Sequence, residues 1–249
     1  MRHNKRSFFC LQLLVCLASL MPSLAHAQAP PPPPPVREGS ADFAFVGTSG
    51  NSSTQTIGLG AEYIYRPAPW ETRLKAVYVR NKAEDELRAQ SFLFTARGQR
   101  EIKPRLSGYA QYGYLRDRFA GILDRNTVEG GVTYLWVDQK PHKVVVDGGL
   151  GYANEERLLG DDRSGALLTA GGLYTLKISE TSELSEDGHL AFSLTEGSDW
   201  RYANTVSLTA KITTILSLKV SNTVRYLNLP VPGFKSTDAI TSVALVAKF

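Results

Sequence analysis

Apolar and polar residues alternate along most of this sequence, and no other feature restricts its possible folds as strongly. In the stretch WRYANTVSLTAKIT (200–213), every second residue is apolar apart from Asn204, and most of the residues between them are polar. The stretches LSLKVSNTVRY (216–226) and KVVVDGGLGY (143–152) show the same pattern. Successive side chains of a β-strand point to opposite faces, so we expect strands with one apolar and one polar face.

Turn residues divide the alternating region into twelve predicted strands between residues 41 and 249, and no segment keeps a helical period. The connections between these strands alternate in length, as in outer-membrane barrels with short periplasmic turns and longer external loops. The short connections are predicted at 67–69, 102–103, 139–141, 179–181 and 213–214, and the longer ones at 50–54, 82–86, 119–124, 157–163, 196–199 and 228–236.

Aromatic residues on the apolar face occur near strand ends, while Leu, Val, Ala and Gly occupy the positions between them. Tyr and Trp prefer the headgroup level of a bilayer, so two such girdles favour a lipid-facing barrel over the packed core of a secreted soluble β-sandwich. We therefore predict an all-β protein, an antiparallel transmembrane β-barrel of about twelve strands. The girdle residues are Tyr63, Tyr65, Trp70, Tyr78, Tyr112, Tyr114, Tyr134, Trp136, Tyr152, Tyr174, Trp200, Tyr202 and Tyr226.

The first 27 residues predict export. Arg2, Lys5 and Arg6 precede an apolar run, and the small-x-small sequence 25–27 supplies a cleavage site. Residues 1–27 are interpreted as a signal peptide, residues 28–40 as a proline-rich spacer, and residues 41–249 as the barrel domain. Both cysteines lie in the signal peptide, so we expect no disulfide or thiolate chemistry in the exported protein. Cleavage leaves 25 Lys and Arg against 24 Asp and Glu, so the composition does not suggest nucleic-acid binding.

Several segments also resemble a known family. They are GNSS (50–53), YLRDRFAGILDRNTVEGGVTY (114–134), DGGLGYANE (147–155) and the terminal VAKF. In these segments the chain is similar to the salt-induced outer-membrane protein family, long catalogued as a domain of unknown function. The resemblance implies a bacterial outer-membrane β-barrel and, through the family name, a link to salt or osmotic adaptation. It supplies neither a substrate nor a mechanism.

The polar face carries more cations than anions. The alternation assigns ten cations and five anions to the barrel lumen, where we expect ion pairs that largely occlude a narrow path. If the barrel conducts, the excess of positive charge predicts a weak preference for anions. The predicted lumen-lining residues are Glu62, Arg73, Lys75, Arg97, Glu129, Asp147, Lys177, Arg201, Lys211, Lys219 and Arg225, with Glu71, Lys143, Asp187 and Lys248 on the same face.

Little in the sequence suggests catalysis. His189 shares the polar face with Ser185, Asp187 and Ser193, which leaves a lipid-modifying outer-membrane enzyme as an alternative. That face is predicted to point into the lumen, away from lipid, so we expect a non-enzymatic protein that is either structural or a narrow channel for small solutes or ions. No phosphate loop, zinc-ligand spacing or dinucleotide motif occurs, and we expect no cofactor and no metal.

The sequence SVALVAKF (242–249) continues the alternation and ends on Phe249. We interpret this terminal aromatic residue as an assembly signal for the final strand of the barrel. The partners expected on this basis are outer-membrane lipid and lipopolysaccharide, the barrel assembly machinery and periplasmic chaperones. No nucleic-acid partner is expected, and the protein is expected to be a monomer.

Overall fold

The computed structural model describes residues 35–48, 54–83, 86–118 and 120–249. Each strand pairs with its neighbours in sequence, and the first strand pairs with the last, so the sheet closes into a barrel. The predicted twelve-strand antiparallel barrel is confirmed, and the β-sandwich alternative is wrong. The strands are β1 (Arg37–Thr48), β2 (Thr54–Tyr65), β3 (Trp70–Ala83), β4 (Glu86–Lys103), β5 (Leu106–Asp117), β6 (Ile122–Gln139), β7 (His142–Arg157), β8 (Arg163–Lys177), β9 (Ser182–Ser193), β10 (Trp200–Lys211), β11 (Leu216–Leu227) and β12 (Thr237–Lys248).

Several strands extend further than the alternation predicted. β1 begins at Arg37, four residues before the expected start, and β6 begins at Ile122, inside a predicted loop. The predicted signal peptide and residues 28–34 of the predicted spacer lie outside the described residues. Within the described ranges, the structure contains no helix long and apolar enough to cross a membrane.

The two ends of the barrel differ in their connections. One end carries the turns at 66–69, 104–105, 140–141, 178–181 and 212–215. The other end carries the remaining connections, the longest of which is 228–236 between β11 and β12. Because short turns face the periplasm in outer-membrane barrels, the first end is the periplasmic end and the second is the external end.

The outer face is mainly apolar, with exposed residues such as Phe43 on β1, Leu150 on β7 and Val243 on β12. Two polar pairs interrupt it on β9 to β12. Asn204 donates a hydrogen bond of 3.1 Å to Glu186, and Asn222 donates one of 2.9 Å to Thr241. Hydrogen bonding within each pair lowers the cost of placing these polar groups on the apolar face.

The barrel closes through its shortest ladder. The register between β1 and β12 runs from Ser40 opposite Lys248 to Phe43 opposite Leu245, whereas each other pair of neighbouring strands matches at least eleven residue pairs. Phe249 extends this ladder, because its N–H and C=O both bond to the backbone of Gly39 at 3.0 and 2.9 Å. Its ring also covers Gly39 so closely that a Cβ atom there would lie 2.5 Å from the ring.

Deleting Phe249 is expected to lower the yield of folded barrel, because two of the hydrogen bonds that close the sheet are lost. The folded fraction can be measured by the shift in gel mobility between heated and unheated samples. Phe249→Tyr, which keeps the backbone bonds and a ring over Gly39, is the matched control and should fold like the native chain. A deletion variant that folds with unchanged yield would contradict this role of the terminal residue.

Candidate functional site in the barrel lumen

Side chains that contact residues on distant strands must lie inside a closed barrel, and these contacts identify the lumen. Arg97 on β4 reaches Asp147 on β7, and Arg225 on β11 reaches Asp117 on β5. The strand registers then place all eleven predicted lumen residues on this inner face. Their environments differ sharply between the two ends of the barrel.

The periplasmic half of the lumen is exposed to water. Glu62 and Arg73 lie 3.6 Å apart with side chains that are 34% and 38% exposed. Lys219 forms a 3.0 Å ion pair with Asp42, and both side chains are partly exposed. The predicted lumen residues Lys75, Lys177 and Lys211 are also exposed near this end. This half therefore resembles an aqueous vestibule with abundant lysine.

Polar and aromatic side chains cross the middle of the lumen. Arg97 donates hydrogen bonds to Thr133 at 2.6 Å and Asp147 at 3.2 Å, and its guanidinium lies 3.7 Å from the centre of the Tyr109 ring. Tyr109 faces inward, in contrast to the girdle aromatics, and it is buried. On the same level Glu129 accepts a 2.7 Å hydrogen bond from Gln111. These contacts narrow the path through the barrel.

A buried charge cluster occupies the external half. The Glu155 carboxylate, only 3% exposed, lies 2.5 Å from Arg125, 2.6 Å from Arg157 and 3.5 Å from Arg201. We name these four residues the arginine cluster. One carboxylate thus contacts three guanidinium groups in a region shielded from water. The lumen therefore has a periplasmic half with water-exposed ion pairs and an external half with buried ion pairs.

The external mouth is covered by the loop 228–236, which we name the lid loop. β11, from which it departs, lies six strands from β5 in either direction around the ring. The lid loop nevertheless contacts the β5–β6 turn on the far side, where Val231, 1% exposed, packs with Phe234 over Gly121. Gly121 has a φ of 71°, and a Cβ atom there would lie 2.7 Å from the Phe234 ring, so both conformation and space require glycine.

Further contacts fix the lid loop across the mouth. Arg157 of the arginine cluster is 3.5 Å from the carbonyl oxygen of Leu229, and Pro232 packs against Gly160 in the β7–β8 loop. Below the lid loop, Arg225 donates a 2.7 Å hydrogen bond to Asp117 and a 3.2 Å hydrogen bond to Ser91. The ion pair and the loop therefore both cross the external end of the lumen.

Two cavities lie on either side of the arginine cluster. The outer cavity, of about 330 Å³, is polar and lies between the β7–β8 and β9–β10 loops, where Arg163 is within 3.6 Å of Glu196 and Asp199. The inner cavity, of about 210 Å³, lies in the lumen and combines apolar walls such as Leu93, Leu115 and Leu167 with polar groups. Arg201 lines both cavities, whereas Arg125 lines only the inner one.

The geometry around His189 does not assemble a catalytic triad. Its Nε2 atom lies 3.5 Å from Glu129, inside the lumen. The hydroxyl group of Ser193 is hydrogen-bonded to that of Thr195 at 2.9 Å. Ser185 and Ser193 are each four residues from His189 on the same strand, which corresponds to about 13 Å at the usual rise per residue. The histidine and either serine are therefore too far apart for proton transfer between them.

The strand registers place twelve of the thirteen predicted girdle residues on the outer face, and the thirteenth, Trp136, lies in a β-bulge and is 60% exposed. Trp70, Tyr134 and Trp136 lie near the periplasmic turns and are well exposed, while Tyr112 and Tyr152 are exposed toward the external end. Near that end Trp200 also packs against Tyr226, with ring centres 4.8 Å apart. The remaining girdle residues, Tyr63, Tyr65, Tyr78, Tyr114, Tyr174 and Tyr202, occupy the same face of their strands.

The sequence interpretation missed several lumen residues. Asp117 is the last residue of β5, and Glu155 lies two residues before the end of β7. Arg125 and Arg157 lie in or next to segments that were predicted as loops. Asp42 was overlooked although it alternates with Phe43 in β1. Continuing the two-residue period through the predicted strand ends would have assigned these charges to the lumen. The estimate of ten cations against five anions is therefore incomplete, and much of the missed charge lies in the arginine cluster.

A closed antiparallel barrel with an apolar, aromatic-edged outer face and a charged interior defines an outer-membrane β-barrel protein. Its location is accordingly the cell outer membrane. The chain belongs to the family described as "Protein of unknown function, DUF481", which matches residues 41–249. The predicted family resemblance is confirmed, and the salt-induced label is consistent with that family.

Solved structures share this fold. The NanC porin, in a rhombohedral crystal form, superposes with a TM-score of 0.51 at 10% identity, covering 84% of this chain and 98% of the porin. The COG4313 outer membrane channel from Pseudomonas putida F1 superposes with a TM-score of 0.54 at 9% identity, covering 89% of this chain and 100% of the channel. At these identities the similarity establishes the barrel fold alone. No curated protein matches the chain significantly.

The Glu155 carboxylate is expected to contribute strongly to the stability of the barrel. Glu155→Gln is expected to lower the free energy of unfolding by about 3–5 kcal/mol, because three buried guanidinium groups lose their shared carboxylate. Urea unfolding of the refolded barrel in detergent would measure the change. Glu62→Gln, in the exposed pair with Arg73, is the matched control and should cost no more than about 1 kcal/mol. Equal losses for the two variants would show that the cluster is not energetically sealed.

Proposed function

We propose that the protein is a non-enzymatic outer-membrane channel for small solutes or ions, narrow and closed at its external end in this conformation. The observation that carries the proposal is the division of the lumen. Its periplasmic half contains partly exposed charges, whereas its external half is sealed by the arginine cluster, the Arg225–Asp117 pair and the lid loop. Water-exposed charges along half of the lumen favour a path for solutes over a purely structural barrel with a packed interior.

The sealing elements are of a kind that can open. The lid loop is held by a few side chains packed over Gly121 and Gly160, and the ion pair below it joins opposite strands of the ring. Displacing a loop costs far less than separating laddered strands, because local opening draws on the least stable contacts. The two fold relatives named above are a porin and a channel, which supports the same proposal.

The remaining expectations about the cell envelope form part of this proposal. The apolar outer face would contact outer-membrane lipid, and the external loops would contact lipopolysaccharide. Periplasmic chaperones would carry the chain to the barrel assembly machinery, which would recognise the terminal strand with Phe249. The barrel is proposed to act as a monomer. A contribution to salt or osmotic adaptation follows from the family resemblance and can be tested by growth of a deletion strain at raised salt.

The channel proposal predicts the effect of removing the lid loop. Replacing residues 229–235 with a short Gly-Ser linker should raise single-channel conductance in planar bilayers severalfold, because the mouth is then no longer covered. A Gly-Ser replacement of 195–198 in the β9–β10 loop is the matched control and should leave conductance near the native level. Reversal potentials in a salt gradient should show a weak anion preference. A lidless barrel that does not conduct, or strong cation selectivity, would contradict the proposal.

The non-enzymatic part of the proposal is tested separately. His189→Ala should leave the lipid composition of the envelope unchanged, because neither Ser185 nor Ser193 lies within reach of the imidazole. Mass spectrometry of extracted lipids from strains that express the native protein, the variant or neither would measure this. A lipid species that appears with the native protein and disappears with the variant would restore the enzymatic alternative.

A further inference from the structure

The charge balance of the arginine cluster leaves room for an anion. Among the described residues, Glu155 is the carboxylate that pairs with Arg125, Arg157 and Arg201, and it lies 1.0 Å further from Arg201 than from Arg125. Each buried guanidinium requires a nearby opposite charge or hydrogen-bond acceptors to offset its loss of hydration. Arg201 is the least satisfied member, since its buried Nε atom has no hydrogen-bond partner among the described residues.

Four nearby acids have closer partners than Arg201, and a fifth, Asp238, also lines the inner cavity. Asp199 and Glu196 at the rim lie 3.5 and 3.6 Å from Arg163. In the inner cavity, Asp117 accepts the 2.7 Å hydrogen bond from Arg225, and Glu129 accepts that from Gln111 and faces His189. The arginine cluster therefore contains more cations than anions, and Arg201 is the member with the weakest pairing.

The inner cavity adds an apolar compartment beside these two guanidinium groups. Its walls include Leu167 and Ala191, which are 3% and 2% exposed, together with Ala203 and Leu115. A cavity of about 150 Å³ is large enough for benzene, so the 210 Å³ found here can hold a ring or a short aliphatic chain. Small-molecule sites commonly combine such apolar walls with a few convergent polar groups.

We propose that Arg201 and Arg125 form a binding site for a small organic carboxylate, whose apolar body occupies the inner cavity. The planar guanidinium matches a carboxylate through paired N–H donors, and burial makes such charge-assisted hydrogen bonds stronger. Arg201 also lines the outer cavity, so the same side chain would meet the anion arriving from the external side. This assigns a solute class to the channel and in that sense rests on the proposed function.

Binding can be measured without a membrane current. Refolded protein in detergent is titrated by calorimetry with benzoate, with its neutral analogue benzyl alcohol and with inorganic phosphate. We expect benzoate to bind at least about tenfold more tightly than either of the other two, because only benzoate offers both a charge and an apolar body. Equal affinities for benzoate and benzyl alcohol, or for benzoate and phosphate, would overturn the proposal.

Variants locate the site. Arg201→Gln should weaken benzoate binding at least about tenfold and leave benzyl alcohol binding unchanged. Lys219→Gln, which removes a lumen cation from the periplasmic half, is the matched control and should change benzoate affinity less than about twofold. Benzoate binding retained by Arg201→Gln, or lost equally in both variants, would overturn the assignment.

Folding of each variant is checked by circular dichroism and gel mobility. Should Arg201→Gln not fold, Ala203→Phe provides a second test, because it fills the inner cavity without altering any charge and should abolish benzoate binding. Benzoate binding by this variant with native affinity would overturn the proposal. A barrel that binds benzoate but never conducts would refute the channel alone, and a conducting barrel without benzoate binding would refute the site alone.

Discussion

The structure depends on the requirement that every backbone N–H and C=O group within a bilayer finds a partner inside the protein. A β-sheet meets this requirement only when its first and last strands pair, so twelve antiparallel strands must close into a ring. Closure then separates two environments with opposite demands. Every second side chain faces hydrocarbon, and the others face a lumen in which charges can be retained.

The charges in this lumen are organised by depth. Near the periplasmic turns the ion pairs remain in contact with water, so each contributes little to stability. Toward the external loops arginine and glutamate side chains are buried, and their pairing offsets the loss of hydration. Ion pairs therefore belong to a hydrated surface at the periplasmic end of the lumen and to a packed, buried layer at the external end.

The sequence alone was sufficient to predict the barrel, its strand number and the direction of most side chains. The reason is physical: a lipid-facing surface tolerates few polar residues, so a period of two persists through strands such as β10 and β11. Strand ends were harder to predict, because charges such as Arg125 and Arg157 look like loop residues until their partner Glu155 is known.

Contacts between distant strands could not be read from the sequence. Nothing in the period of β11 indicates that Arg225 meets Asp117 on the opposite wall, or that Val231 crosses the mouth to pack on Gly121. These contacts depend on the diameter of the ring and on the path of a long loop. The alternation of apolar and polar residues constrains neither the ring diameter nor the loop path. The contacts at the external end could therefore be identified only from the structure.

The short ladder between β1 and β12 makes this seam the weakest joint in the barrel wall. Four residue pairs and Phe249 hold this seam, yet Asp42 on β1 also bonds to Lys219 on β11, so one ion pair bridges β12 from inside the lumen. Because both side chains are partly exposed to water, dissolved ions screen their attraction. The strength of the weakest joint in the wall therefore varies with the ionic strength of the medium that fills the barrel.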